Sequence, residues 1–165
     1  MKIADIKING MKNPTGFHFD SVRVSWKVRE SASSKQKNVN IQVSLTDDFG
    51  EILYEKNGTD LCQAGEILEM NLEPRTRYFV RVTVMGNTGD KAVSTPAYFE
   101  TGKMEEPWQA RWITTEPEYK FHPVFFKEFQ LEQKVRSARL YISGLGLFQA
   151  ELNGRKVGDE VLTPY

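Results

Sequence analysis

Hydrophobic residues alternate with polar residues along several separate segments of the chain, and this period of two constrains the fold more than any other feature. Alternation of this kind is typical of a strand with one buried face and one solvated face. Turn-forming sequences rich in Gly, Asn, Asp and Pro separate the segments, and none has helical periodicity. The sequence therefore predicts antiparallel strands in two packed layers over residues 1–102. The alternating segments are 22–28, 39–45, 68–72 and 78–84.

A corner between two of these strands is predicted in more detail. One strand ends, Pro74 turns the chain, and Tyr78 opens the next strand. The tyrosine hydroxyl can then hydrogen-bond to the backbone of the turn, as in the tyrosine corner of immunoglobulin-like sandwiches. With Trp26 on an early strand and the ending at 97–102, this part resembles a fibronectin type III domain over roughly residues 3–102. The predicted fold class is all-β, beginning with a fibronectin type III/immunoglobulin-like β-sandwich.

The remaining sequence predicts the start of a second β-sandwich. Residues 103–107 are polar and contain a proline, so we interpret them as a linker. Residues 108–165 should form a partial, jelly-roll-like β-sandwich, because strand patterns recur and no helical pattern intervenes. We expect this sheet to be incomplete, since little sequence follows its last strands. The expected strands are 108–113, 124–131, 139–142 and 148–152, followed by a tight turn at Asn153-Gly154. The expected core side chains are Trp108, Trp112, Phe125, Phe129 and Phe148.

Composition excludes some classes of partner. Lys plus Arg and Asp plus Glu both number 22, so the formal net charge is zero and the basic excess of a nucleic-acid-binding protein is missing. Cys62 is the only cysteine, which rules out an intrachain disulfide and fits a reducing compartment. The sequence contains no apolar run long enough to span a membrane and no signal-peptide core at Met1. We therefore expect a cytoplasmic protein without nucleic-acid or membrane partners, unless a leader has been removed.

Few residues offer catalytic or metal-binding chemistry. His18 and Asp20 flank a phenylalanine, but no activated nucleophile accompanies them, so we interpret both as solvated surface residues. His122 lies before a proline and has the same interpretation. The acidic segment 47–51 has too few oxygen ligands at set intervals for a calcium loop and is predicted to be a hairpin turn. We predict no catalytic, cofactor-binding or metal-binding residue in this chain, and no cofactor.

Three further motifs have a structural alternative. Asn57-Gly58-Thr59 matches the N-glycosylation sequon, and we interpret it as a turn. Gly144-Leu145-Gly146 follows a predicted strand but precedes no helix, so crowding of the backbone between strands explains it better than phosphate binding.

Aromatic rings can stack on sugars. Tyr119 and Phe121, in a predicted loop, are better candidates for that role than the aromatic residues expected in the core.

The order of these features resembles the N-terminal region of bacterial α-L-rhamnosidases of glycoside hydrolase family 78. After the sandwich ending come Trp108-x-x-x-Trp112-Ile113, Phe125-Phe126-Lys127-Glu128-Phe129, the segment 138–146 and Glu151-Leu152-Asn153-Gly154-x-x-Val157-Gly158. The last motif is the most specific. The resemblance implies a large inverting hydrolase that removes terminal α-linked L-rhamnose, with its chemistry in an (α/α)6 barrel beyond Tyr165.

An inverting glycosidase needs one carboxylic acid to protonate the leaving oxygen and one carboxylate to activate water. No Asp or Glu of this chain matches the family's catalytic positions, so the chain alone is expected to be inactive. A rhamnose-containing glycan or glycoside would be the partner of the missing catalytic domain. The alternative is a stand-alone carbohydrate-binding or adhesion module without hydrolase activity. We also expect self-association, domain swapping or packing of the second part against the first domain, because an incomplete sandwich exposes a strand edge and an apolar face.

Overall fold

Strands are the only regular elements in the computed structural model, which describes residues 1–116, 122–135 and 137–159. The chain divides into two units, Met1–Trp112 and Ile113–Tyr165. No helix in the described part of the chain is long and apolar enough to cross a membrane. The prediction of an all-β chain is confirmed.

Two sheets make up the first unit. Their strands are β1 (Lys2–Ile8), β2 (Thr15–Phe17), β3 (Val22–Arg29), β4 (Gln36–Ser44), β5 (Tyr54–Gly58), β6 (Glu66–Leu68), β7 (Arg77–Gly86), β8 (Lys91–Val93) and β9 (Ala97–Thr101). A three-stranded sheet has the order β1-β3-β6, and a larger sheet has the order β2-β9-β7-β4-β5, with β8 also paired to β7. The pairs are antiparallel except β2–β9, which is parallel.

The core lies between these sheets and follows the predicted alternation. Trp26 of β3 is 2% exposed and faces the same cluster as the valines of β4 and β7. Complete burial of each such side chain stabilises the fold by about 1.5–3 kcal/mol. The strand predictions for this unit are confirmed, with two exceptions. Strand β6 ends at Leu68 although the alternating pattern continues to Leu72. Strand β4 ends at Ser44, and Leu45, predicted to face the core, is 50% exposed. The buried hydrophobic residues of β4 and β7 are Val39, Ile41, Val43, Tyr78, Val80, Val82 and Val84.

The tyrosine corner is present. The backbone N–H of Glu73 donates to the Tyr78 hydroxyl oxygen at 2.7 Å. The Tyr78 ring stacks on Phe99 of β9, with centroids 5.0 Å apart and planes 18° from parallel. Thr101 closes the corner from the other side, donating to the Glu73 carbonyl at 2.7 Å and accepting from the Thr76 N–H at 2.9 Å. The corner therefore joins the chain before β7 to the last strand of the sandwich.

Side chains of the edge strand β5 bind the edge strand β6 of the other sheet. The Lys56 ammonium lies 2.7 Å from Glu66 Oε1 and donates to the Ile67 carbonyl at 3.0 Å. The hydrogen bond from Lys56, followed by one from the Cys62 N–H, lowers the pKa of the Glu66 carboxyl. Because unpaired strand edges invite pairing with other chains, these contacts protect an edge of the sandwich.

The predicted linker lies within the first unit. Glu106 forms an ion pair with Arg75, with Nε and Oε2 2.7 Å apart. Glu105 lies 3.6 Å from His18 Nε2. The Lys103 ammonium lies 5.3 Å from the centroid of the Trp108 ring. The contacts of Glu105 and Glu106 attach this segment to the sandwich that precedes it, whereas the contact between Lys103 and Trp108 lies within the segment.

The second unit contains one described hairpin. Strands β10 (Glu151–Leu152) and β11 (Arg155–Lys156) pair in antiparallel fashion. The turn residues Asn153 and Gly154 have φ angles of 51° and 73°. Positive φ at both central positions is the geometry that favours an Asn-Gly turn between strands. The predicted tight turn is confirmed.

The other strands expected after residue 107 are not formed in the described ranges. Segments 108–113, 124–131 and 139–142 have no strand ladder. The predicted core positions of Trp108, Trp112, Phe125 and Phe129 are wrong, because these side chains are 53%, 69%, 52% and 61% exposed. Alternation determines which side chains share a face, but a strand also needs a partner for its backbone groups. Phe148 is half-buried.

Candidate functional site

The outer face of the larger sheet combines aromatic rings with hydrogen-bonded polar side chains. Alternation along β7 turns its valines inward and the intervening side chains outward. Register then sets Arg81 opposite Gln42 of β4, and Phe79 opposite Tyr98 of β9. We call this surface the outer face and define it by Asn40, Gln42, Glu55, Arg77, Phe79, Arg81, Tyr98 and Glu100.

A row of hydrogen bonds crosses this face from β7 to β5. Arg81 donates to Gln42 Oε1 from Nε at 3.2 Å and from Nη2 at 2.7 Å. The Gln42 amide in turn donates to Glu55 Oε1 at 2.8 Å, and Asn40 donates to the same oxygen at 2.8 Å. The bond from Asn40 and then the bond from Gln42 lower the pKa of the Glu55 carboxyl. The row therefore holds a charged carboxylate and a charged guanidinium at fixed positions.

Aromatic rings lie beside this row. The centroids of Phe79 and Tyr98 are 6.2 Å apart, and their planes are tilted by 58°. The guanidinium carbon of Arg77 lies 4.5 Å from the Tyr98 centroid, and Arg77 Nε donates to Glu100 Oε2 at 3.0 Å. Cation–π contact and ion pairing together fix the planes of these groups.

A second polar cluster joins two loops at one end of the sandwich. Asp90 accepts hydrogen bonds from Ser33, from Ser31 at 2.9 Å and from Thr88 at 3.1 Å. These bonds, led by the one from Ser33, lower the pKa of Asp90 to about 2. A Cβ added to Gly86 would collide with Ser33 Oγ and the Asp90 carboxylate, so this position needs glycine. The cluster explains how the loop after β3 is held against the turn between β7 and β8.

The first unit also has a shallow groove of about 340 Å³. Phe19, Met70 and Met104 supply apolar lining, while Asp20 and Glu69 supply carboxylates. The Asp20 side chain is 95% exposed, so its charge is solvated. Such an open groove lacks the enclosed polar geometry that a catalytic carboxyl pair requires.

The histidines lie where the sequence interpretation placed them. His18 Nε2 is 3.3 Å from Asp20 Oδ1, and the two side chains are 46% and 95% exposed. His122 is exposed and lies outside any strand. Exposed ion pairs of this kind contribute about 0–1 kcal/mol to stability. In the described residues, no group of three or more His, Cys, Asp or Glu side chains could hold a metal ion.

The acidic segment forms the expected turn, whereas the sequon does not. Asp48 Oδ1 accepts from the Gly50 N–H at 3.0 Å and from Thr46, and the Thr46 bond is the larger cause of its lowered pKa. The turn expected at Asn57-Gly58 is wrong, because Asn57 lies in β5 and pairs with Asn40. Cross-strand pairing with β4 extends this edge strand through a dipeptide that elsewhere favours a turn.

Gly144 is crowded, but the predicted cause of the crowding is wrong. A Cβ on Gly144 would lie 2.7 Å from the Phe148 ring, so a side chain there would force the ring to move. The crowding comes from an aromatic side chain and not from neighbouring strands. Tyr119 and Phe121, the loop candidates for sugar stacking, lie outside the described residues.

Sequence reasoning missed the outer face, although a signal was present. Phe79 takes an outward position on β7 and is partly buried there, in the same row of outward residues as Arg81 and Met85. An aromatic ring on the side of a strand turned away from the core is a signal that the pattern of core residues does not explain. The register that brings Gln42 and Glu55 beside Arg81 cannot be read from a single strand.

Family comparisons match both parts of the chain. Residues 3–105 match the family described as Rha78A-like, N-terminal immunoglobulin domain, and residues 133–165 match the α-L-rhamnosidase N-terminal domain. The structure of an α-L-rhamnosidase from Dictyoglumus thermophilum is similar, with a TM-score of 0.58 and 27% identity. That similarity covers 71% of this chain and 14% of the other.

Two curated relatives are named α-L-rhamnosidase. One, from Formosa agariphila, is 26% identical over 96% of this chain, and one from Alteromonas sp. is 27% identical over 94%. The chain spans only 20% and 19% of their respective lengths. The first family covers more than half of the chain, and its immunoglobulin-type fold agrees with the sandwich described above. The chain therefore belongs to the family of Rha78A-like N-terminal immunoglobulin domains.

Proposed function

We propose that this chain is the non-catalytic N-terminal region of a glycoside hydrolase that removes terminal α-linked L-rhamnose. The observation that carries the proposal is the succession of two rhamnosidase N-terminal domains along one chain, at residues 3–105 and 133–165. The similarity to the curated rhamnosidases extends over nearly the whole chain while accounting for about a fifth of each relative.

The carboxyl groups of the described residues support a non-catalytic role. A glycosidase general acid needs a raised pKa so that it stays protonated near neutral pH. The described carboxyls with a clear shift have lowered pKa values instead: Asp48, Glu55, Glu66 and Asp90. Glu100, which is 5% exposed, is paired with Arg77 at 2.9 Å.

Turnover of an aryl α-L-rhamnoside tests this division of labour. Purified residues 1–165 should give no turnover above a mock purification from the same host. Reproducible turnover by this chain would overturn the proposal that it is non-catalytic.

The sequence of the gene beyond codon 165 distinguishes a hydrolase from a stand-alone binding module. A long continuation with helical repeats is expected, whereas a stop codon near this point would favour the binding module.

We also propose that the second unit associates with a second copy of the chain. Large apolar side chains there face solvent, including Val124 and Leu145 at 92% and Phe126 at 82% exposure. Exposed apolar surface of this kind marks an interaction site. Light scattering should show dimers or larger species at micromolar concentration, and Phe126→Asp should shift them toward monomer. A clean monomer of the unmodified chain would contradict this proposal.

A further inference from the structure

We propose that the outer face of the larger sheet binds a neutral glycan. In this arrangement one sugar ring stacks on Phe79, and Arg81, Gln42 and Glu55 bind its hydroxyl groups. The inference deepens the proposed function and rests on it for the choice of rhamnose-containing ligands. The binding surface itself is argued from the contacts and charges of the outer face.

The spacing of the outer face suits a single sugar unit. Phe79 and Arg81 are successive outward residues of β7. Their Cα atoms are therefore about 6.8 Å apart along the strand, and neighbouring strands are separated by about 4.8 Å. A ring stacked on Phe79 consequently places its hydroxyl groups beside Arg81 and Gln42. The apolar C–H face of a sugar packs on the aromatic ring, while its rim needs planar donors and acceptors.

The charges of the outer face favour a neutral ligand. Among its eight defining residues, two arginines are balanced by two glutamates. Arg77 is paired with Glu100 at 2.9 Å. Arg81 and Glu55 are linked through the Gln42 amide. A phosphate or nucleic-acid site would instead need an excess of cationic groups.

The polar partners are positioned before a ligand arrives. Arg81 is held from one side by Gln42 and lies over the Phe49 ring, with its guanidinium carbon 4.2 Å from the centroid. Its remaining N–H groups can donate to sugar hydroxyls. Glu55 accepts the bonds from Asn40 and Gln42 through Oε1, so Oε2 retains acceptor capacity. Positioned side chains lose less conformational entropy on binding, which favours affinity.

Affinity electrophoresis of the whole chain tests the proposal. The probe is a soluble neutral polysaccharide with terminal α-L-rhamnose branches, and a sulfated polysaccharide serves as the charged comparison. The neutral probe should retard the unmodified chain. Phe79→Ala should weaken retardation at least tenfold, and Gln42→Ala several-fold. Ile67→Ala, which removes an exposed apolar side chain from the other sheet, should leave retardation unchanged.

Two kinds of outcome overturn the inference. One is no retardation of the unmodified chain, or stronger retardation by the sulfated probe. The other is unchanged retardation of both outer-face variants. Thermal melts check that each variant is folded. If Phe79→Ala does not fold, Gln42→Ala still tests the outer face, because it leaves the Phe79 ring unchanged. Rhamnoside turnover by the longer gene product is independent of this assay, so failure of the outer face leaves the proposed function standing.

Discussion

Replacing Tyr78 with phenylalanine isolates one hydrogen bond of the sandwich. The hydroxyl oxygen accepts from the Glu73 N–H at 2.7 Å, and the residue is 2% exposed. The ring stacks on Phe99, and phenylalanine can keep that contact. The substitution therefore removes the corner bond without opening a ring-sized cavity.

The expected loss of unfolding free energy is about 1 kcal/mol. A net intramolecular hydrogen bond contributes about 0.5–1.5 kcal/mol, and a buried donor left unpaired costs up to about 3 kcal/mol. Glu73 is exposed, so water can reach its N–H and the cost stays near the lower figure. For a domain of this size, a loss of 1 kcal/mol lowers Tm by about 4 °C.

Urea and thermal unfolding measure this loss, and Tyr54→Phe is a matched control. The Tyr54 hydroxyl also accepts a backbone N–H, that of Glu69, but at 3.3 Å. Because hydrogen bonds weaken with length, the control should lose less stability. Equal stability of Tyr78→Phe and the unmodified chain would refute the reasoning. So would a larger loss in the control.

The remaining predictions concern packing, charge and the strand edge. Gly86→Ala should cost about 1–3 kcal/mol by urea unfolding because its Cβ would collide with Ser33 and Asp90. Gly50→Ala, whose Cβ meets Asp48 at an ordinary 3.5 Å, should cost less, and similar losses would contradict this reading. The carboxyls of Asp90 and Glu66 have lower pKa values in the folded protein than the 3.8 and 4.5 of the unfolded chain. Their contribution to the free energy of unfolding is therefore complete above those unfolded pKa values and is lost as the pH falls through the folded pKa values. As the pH is lowered from roughly 5 to 2, the urea concentration at the midpoint of unfolding should therefore decrease, and the decrease should be smaller in Asp90→Asn. A midpoint that does not change with pH would count against these hydrogen bonds. Lys56→Met should cost about 1 kcal/mol, whereas Lys27→Met should cost almost nothing, because Lys27 and Asp5 are exposed and 3.6 Å apart. Equal melts for the two lysine variants would contradict that ranking.

The sandwich could be predicted largely from the sequence, because the patterns that indicate it lie within single strands or between residues close together in the chain. Alternation along one strand identifies the core side chains, and the short separation of Glu73 and Tyr78 is enough to indicate the corner. The Asn153-Gly154 turn is equally local, since both residues readily adopt positive φ. Strand β1 also alternates, but charged residues interrupt its apolar positions and it was not predicted.

The features that escaped prediction depend on pairing between distant segments. Ser33 and Asp90 are 57 positions apart, and Arg81 and Gln42 are 39 apart. Their contacts follow from strand register, which a single strand pattern does not specify. The same limit explains the errors after residue 107, where alternation is present but the ladder partners are not formed in the described residues. It also explains Asn57, whose pairing with β4 overrides a turn-forming dipeptide.

The most direct test of the proposed function compares rhamnoside hydrolysis by two purified proteins, residues 1–165 and the longest product of the same gene. The proposal predicts turnover of an aryl α-L-rhamnoside by the longer protein and none by residues 1–165. Turnover by residues 1–165, or no turnover by a folded full-length product, would contradict it.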